Sequence, residues 1–182
     1  WEAYFGKLFE IFAECIRVLK YGGRAIVNVQ PLFSDYIPTH HIISNFFIQQ
    51  KMIWKGEILW EKNNYNCKYT AWGSWKSPSS PYLKYTCEFI EIVCKGDLKM
   101  KGKTEDIDIN EPVLDLGCGD GHFSSVTLSD RPVCLIGVDP EWRSLNEARQ
   151  YSVFSHLVCA RGDYLPFAKS FFSTTMSNSV LE

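Results

Sequence analysis

VLDLGCGDGHFSS, residues Val113–Ser125, runs from a short strand-like segment into three glycines spaced two apart, Gly117, Gly119 and Gly121. A glycine-rich turn between a strand and a helix lets a ligand reach the main chain, and the helix start adds free N–H groups. Dinucleotide-binding folds use the same device with the fingerprint G-x-G-x-x-G. Here the pattern is G-x-G-x-G, His122 stands where the third dinucleotide glycine would be, and Asp115 sits two residues before the first glycine.

Outward from this turn the chain has a regular rhythm. Strands are predicted over 112–116, 133–138, 156–160 and 171–176, with helices over 121–129 and 141–150. Consecutive βα units imply a parallel sheet with helices on both faces. Asp139 closes the second strand in IGVDP, twenty residues past Gly119, where a carboxylate can accept both hydroxyls of a ribose; this spacing supports a nucleoside ligand. Taken singly, Gly121 reads equally as a helix-start glycine, His122 as an exposed first-turn residue, Asp139 as a helix cap and Asp163 as a turn residue. The joint spacing of 115, 117, 119, 139 and 163 favours the ligand.

VLDLGCGDG resembles the cofactor motif of the Rossmann-like S-adenosylmethionine (SAM) methyltransferases, and residues 112–182 resemble the SAM-binding half of the type 11 branch. The resemblance implies SAM as cofactor, with Asp115 near its methionine part, Gly117 and Gly119 making room, and Asp139 on the ribose. ARGDYLPF (160–167) resembles the next family element, which implies that Asp163 lies beside the adenine amino group. FFSTTMSNSVLE resembles the fourth strand of the small-molecule branch.

Upstream, residues 1–20 carry apolar side chains at helical spacing, and Tyr21-Gly22-Gly23 is expected to stop that helix. A strand at 24–29, a helix at 39–52 and strands at 56–62 and 87–95 follow, with 63–86 read as an ordered loop or ligand-facing insertion. LKYGGRAIVNV, GEILWEKNN and AWGSWKSPSSPYLKYTCEFIEIVCKG resemble the DNA amino-methyltransferases, which modify the exocyclic amine of cytosine or adenine, the cytosine group above all. That resemblance implies double-stranded DNA as partner. Between 51 and 84 six lysines face only Glu57 and Glu61 and are interleaved with tryptophans and tyrosines. Lysines neutralise phosphates and aromatic faces stack on an extruded base, so Lys68, Trp72, Trp75 and Lys76 are the candidate nucleic-acid contacts. Core tryptophans beneath a solvated lysine rim are the bland alternative.

The fold class that follows is α/β, a Rossmann-like methyltransferase sheet, mostly parallel with a terminal antiparallel hairpin and its strand order circularly shifted. Residues 1–95 read as the catalytic and target-recognition half, the charged run 96–111 as a linker and 112–182 as the SAM-binding half, or all three as one permuted domain. The resembled DNA enzymes carry Asp, Ser or Asn followed by Pro-Pro and an aromatic. No such run occurs in this sequence, where it would precede Trp1, so the catalytic residue is unassigned. Beginning at Trp1 and stopping at Glu182, the chain reads as a fragment, and 96–111 as a candidate join of two gene pieces.

Other classes are less well supported. Ser74, Ser77, Ser79 and Ser80 have no nucleophile elbow or His/Asp spacing around them, which argues against hydrolase chemistry. Seven cysteines stand singly, without C-x-x-C or zinc-site spacing, so no metal site is expected and the thiols read as reduced and cytoplasmic. No apolar run is long enough to span a bilayer. The net charge of −2 divides unevenly: residues 1–100 hold 12 Lys/Arg against 9 Asp/Glu, and 101–182 hold 7 against 12. Three functions remain: transfer of a methyl to a DNA base amine; methylation of a small molecule, lipid or glycan; and a non-catalytic nucleic-acid-binding module.

Overall fold

The first helix, α1 (Glu2–Val18), buries Phe5, Leu8, Phe12, Cys15 and Val18, the three-and-four spacing that gives a helix one apolar stripe. In this computed structural model, which describes residues 1–30, 37–61, 87–96, 111–129 and 134–178, the stripe lies against a sheet. The remaining elements are β1 (Leu19–Val29), α2 (Thr39–Gln49), β2 (Ile53–Glu61), β3 (Cys87–Cys94), β4 (Val113–Leu116), α3 (His122–Leu128), β5 (Leu135–Asp139), α4 (Trp142–Ala148), β6 (Phe154–Cys159) and β7 (Phe172–Asn178). The candidate contacts Lys68, Trp72, Trp75 and Lys76, and most of the expected linker 96–111, lie outside the described residues.

All seven strands hydrogen-bond in one sheet, in the order β2-β3-β1-β7-β4-β5-β6. β1, β7, β4, β5 and β6 run parallel, whereas β3 is antiparallel to both β1 and β2. This is the expected α/β sheet with an antiparallel hairpin. Its shift is visible in the order: β5 and β6 follow β4 outward on one side, and β7 then hands over to the chain's first strand on the other. Strand order reverses between β4 and β7, and in open α/β sheets the crevice at the carboxyl ends of the strands at such a point is where ligands bind.

Alternation in β1 sends Ala25, Val27 and Val29 into a core with Phe5, Leu8 and Phe12 of α1, Ile43 and Phe47 of α2, and Phe89 and Val93 of β3. A second cluster joins Cys15 and Val18 of α1 to Leu114 and Leu116 of β4, Ile136 and Val138 of β5, and Leu165 and Phe172. Both clusters therefore lie on the face that α1 covers. Asp115, alternating with Leu114 and Leu116, points to the opposite face and meets Ser124 of α3, so helices lie on both faces as expected.

One expectation is corrected. The Gly22-Gly23 pair does not end α1; the helix stops at Val18 and the chain continues without a loop into β1, with Leu19 already extended at φ −75°, ψ 133°. Tertiary partners replace a glycine cap. Lys95 Nζ donates to the carbonyls of Ile16 (2.5 Å) and Leu19 (2.7 Å), while the amides of Ser170 and Phe171 donate to the carbonyls of Arg17 and Val18. The last helical carbonyls thus find donors far away in sequence. The glycines instead serve an irregularity in β1, where pairing with β7 slips between Leu19 and Arg24. Gly22 takes φ +87°, and a Cβ on Gly23 would lie 2.8 Å from the Ser173 carbonyl oxygen.

Candidate functional site

The glycine turn lies at the carboxyl end of β4 and leans on β5. The amides of Gly117 and Cys118 both donate to the Val138 carbonyl, at 2.7 and 3.2 Å. Gly117, Gly119 and Gly121 have φ of +70°, +53° and +79°, the left-handed region that disfavours any residue with a Cβ. Their surroundings differ. A Cβ on Gly121 would come within 2.7 Å of the Phe154 ring and 3.0 Å of the Ala148 Cβ, so this glycine lets α3 start close to α4 and β6. A Cβ on Gly119 would meet no heavy atom within 4 Å: the space over the middle of the turn is open, as an approaching ligand requires.

Asp139 ties this turn to the next helix. Its Oδ2 accepts the Gly119 amide at 3.0 Å and its Oδ1 accepts the Glu141 amide at 2.8 Å, at the start of α4. Asp139 thus bridges the glycine turn and the Glu141 amide, one residue before α4, and does not cap the helix itself, which has no side-chain cap. A carboxylate has about four acceptor positions, so two remain for hydroxyls, and the residue is only half-buried.

Asp115 occupies a different environment. It is buried, and Ser124 Oγ donates to its Oδ2 at 2.5 Å, bracing α3 against β4. Burial pushes its carboxyl up to about 6; the Ser124 bond opposes that shift and the charge of Asp139 adds to it. Sequence reasoning found Asp115 but not Ser124, which stands nine residues on, on the inward side of α3.

Asp163 follows β6 by four residues and pairs with Arg161, whose Nε donates to its Oδ1 at 2.9 Å. That pairing holds the Asp163 carboxyl below its ordinary value, and the carboxylate is ionised at neutral pH. The loop that carries it is anchored from the other end of the chain. Arg17 of α1 is bound through two nitrogens to Glu14, at 2.7 and 2.8 Å, and donates to the carbonyls of Phe167 (2.9 Å) and Leu165 (3.0 Å). Glu14 in turn accepts the Leu165 amide at 3.0 Å. Nothing in the local sequence around 163 shows this anchor.

The fold thus brings the five predicted residues to the carboxyl ends of three adjacent strands. Leu116 pairs with Val138, and Asp139 with Cys159, so the turn, Asp139 and the Asp163 loop follow one another across β4, β5 and β6. The open space above Gly119, the free acceptor positions of Asp139 and the ionised Asp163 fit a nucleoside with hydroxyl and amine donors. Among the described residues no group of His, Cys, Asp and Glu is arranged to hold a metal ion.

Sequence reasoning missed the polar residues on the other side of the switch point. Asn28 on β1 donates through Nδ2 to Glu88 Oε2 of β3 (2.5 Å) and to Asn178 Oδ1 of β7 (2.7 Å). A signal was present, since Asn interrupts the apolar run RAIVNV and Glu interrupts CEFIEIVC.

Residues 114–182 match the protein family described as Methyltransferase domain. No curated protein matches the chain. The matched segment contains Asp115, all three glycines of the turn, Asp139, Asp163 and β7, and a domain of this family uses SAM. By that match, residues 114–182 carry a SAM-dependent methyltransferase domain, set on a seven-stranded Rossmann-like sheet.

Proposed function

We propose that the chain is the methyltransferase of a DNA base, acting on an exocyclic amine, with cytosine favoured over adenine. The observation that carries this reading is the shifted order of the sheet. Helix, strand, helix and hairpin precede the strands of the matched domain, nearly the order expected of the DNA amino-methyltransferases to which the sequence of residues 1–100 was likened. The lysine and aromatic content of 51–84, with Lys68, Trp72, Trp75 and Lys76 as the contacts, adds chemical support for double-stranded DNA as partner.

Bound SAM supplies an electrophilic methyl on a sulfonium. The protein's part is placement: Asp139 and the turn orient the nucleoside, and the crevice between β4 and β7 admits an acceptor taken out of its stack. When bound, SAM would give that methyl to the acceptor nitrogen's lone pair and leave as the neutral thioether, and the N–H proton would pass to water. The Pro-Pro-aromatic run of the resembled enzymes has no counterpart in this sequence.

Transfer of a tritiated methyl from SAM to duplex DNA tests the proposal. Label fixed in DNA, and lost at high salt together with binding, is the expected result. Tight DNA binding that ignores SAM and fixes no label would favour the non-catalytic binding module. Label in a small molecule, lipid or glycan but not in DNA would move the assignment to that substrate class.

A further inference from the structure

The crevice has a side that the cofactor residues do not occupy. Strand registers place it: Asn28 pairs with Asn178, and Ser177 pairs with Leu116, so Asn178 is level with Gly117. A row therefore runs along the carboxyl edge from Asp139 through Gly117 and Asn178 to Asn28. Neighbouring strands are about 4.8 Å apart, which puts Asn28 roughly 10 Å from the glycine turn. Its side chain lies on the Asp115 face, because Ala25, Val27 and Val29 alternate into the core beneath α1 and α2.

Asn28 is 8% exposed. The amide orientation is settled by chemistry: its Nδ2 contacts a carboxylate oxygen of Glu88, which can only accept, so nitrogen and not oxygen must face that way. Asn178 Oδ1 takes the second Nδ2 proton. This fixes Oδ1 in place with no hydrogen-bond partner among the described residues. A buried acceptor left unpaired is destabilising, and in native structures such atoms are few. At a switch point, beside a cofactor cradle, an oriented acceptor of this kind matches a ligand that brings the missing donor.

We propose that Asn28 Oδ1 is the substrate-side recognition group, receiving an N–H or O–H of the molecule to be methylated, with Glu88 and Asn178 as its positioning residues. The assignment rests on the methyl-transfer reading above and extends it to the chemical class of acceptor: amines, amides and hydroxyls, but not carboxylates, thioethers or tertiary amines. An exocyclic base amine belongs to the accepted class. A site built to hydrogen-bond a substrate donor discriminates strongly against analogues lacking it, because its own buried group is then left unpaired.

The test uses the full chain with methyl-tritiated SAM and three probes: sheared duplex DNA; a pool of primary and secondary amines and alcohols; and a pool of tertiary amines, carboxylates and thioethers. Label is expected in the first or second probe and absent from the third. Asn28→Ala is expected to lower kcat/KM for the labelled acceptor by about 10- to 100-fold, while the Kd of SAM moves less than twofold. Label in the second probe without label in DNA overturns the DNA assignment and leaves Asn28 standing. Label in the third probe, no label anywhere, or an unchanged kcat/KM in Asn28→Ala overturns the Asn28 assignment; the last result would mean that Oδ1 holds only a water. If thermal melting shows that Asn28→Ala does not fold, Asn28→Ser and the discrimination between pools decide.

Discussion

Alanine at Gly119 and alanine at Gly121 should fail in opposite ways, although the two glycines are two residues apart in the same turn. Both have positive φ, +53° and +79°, and a Cβ in the left-handed region costs about 1–2 kcal/mol. At Gly119 that is the whole expected loss of stability, because nothing lies within 4 Å of the added methyl. At Gly121 the methyl would also press on Phe154 at 2.7 Å and Ala148 at 3.0 Å, contacts that add about 1–3 kcal/mol of overpacking. The expected losses are about 1–2 kcal/mol for Gly119→Ala and about 2–5 kcal/mol for Gly121→Ala. Urea unfolding reads these losses, and calorimetric titration of SAM reads the cofactor site. Gly119→Ala should stay folded and lose SAM affinity by at least tenfold, since its methyl stands in the ligand's approach. Equal destabilisation by the two substitutions, or normal SAM affinity in Gly119→Ala, would refute the division of labour within the turn.

The remaining predictions concern charge and anchoring. Asp115 has a folded-state carboxyl pKa of about 6 against 3.8 for the ordinary group, so the folded state holds its proton to higher pH than the unfolded state does. Its contribution to stability is complete below pH 4 and falls as pH rises through about 6, by up to ~3 kcal/mol. Asp115→Asn should remove that fall from a pH series of unfolding curves; a difference between the two proteins that is flat over this range would count against it. Arg17→Met leaves the Leu165 and Phe167 carbonyls without their donor, and should cost about 1–3 kcal/mol in urea unfolding. It should also weaken SAM binding, because the same loop carries Asp163; SAM affinity equal to that of the unsubstituted protein would show that the anchor does not reach the site. Asp139→Asn keeps a neutral acceptor for one of the two amides and loses the charge, so SAM affinity should drop by about 10- to 100-fold, measured calorimetrically, with little change in melting temperature.

Much of this architecture is written in local patterns. The 5, 8, 12, 15, 18 stripe specifies α1, the alternation of Ala25, Val27 and Val29 specifies a strand with one face in a core, and Gly117-x-Gly119-x-Gly121 after VLDL specifies a turn of positive φ. Each works over a few residues, because helix and strand periodicity and positive φ are properties of neighbouring peptide units. The twenty-residue interval from Gly119 to Asp139 was also legible, since one βα unit has a nearly fixed length, and the contact between them is a single 3.0 Å hydrogen bond.

What tertiary structure alone decided is where long-range partners meet. The end of α1 was misread at Gly22-Gly23 because the donors that terminate it, Lys95 and the amides of Ser170 and Phe171, lie more than seventy residues away. The polar residues Asn28, Glu88 and Asn178 stand out singly in the sequence, but their meeting was decided in the same way. Asn28 and Asn178 are 150 residues apart, and they touch only because β7 pairs with β1 at one register of the parallel sheet. Slipping a strand by one residue would turn Asn28 toward the hydrophobic core, and burial of Val27 and Val29 forbids it. The sequence by itself determined the elements and the glycine turn; the pairing of strands determined which polar side chains lie level with that turn along the carboxyl edge of the sheet.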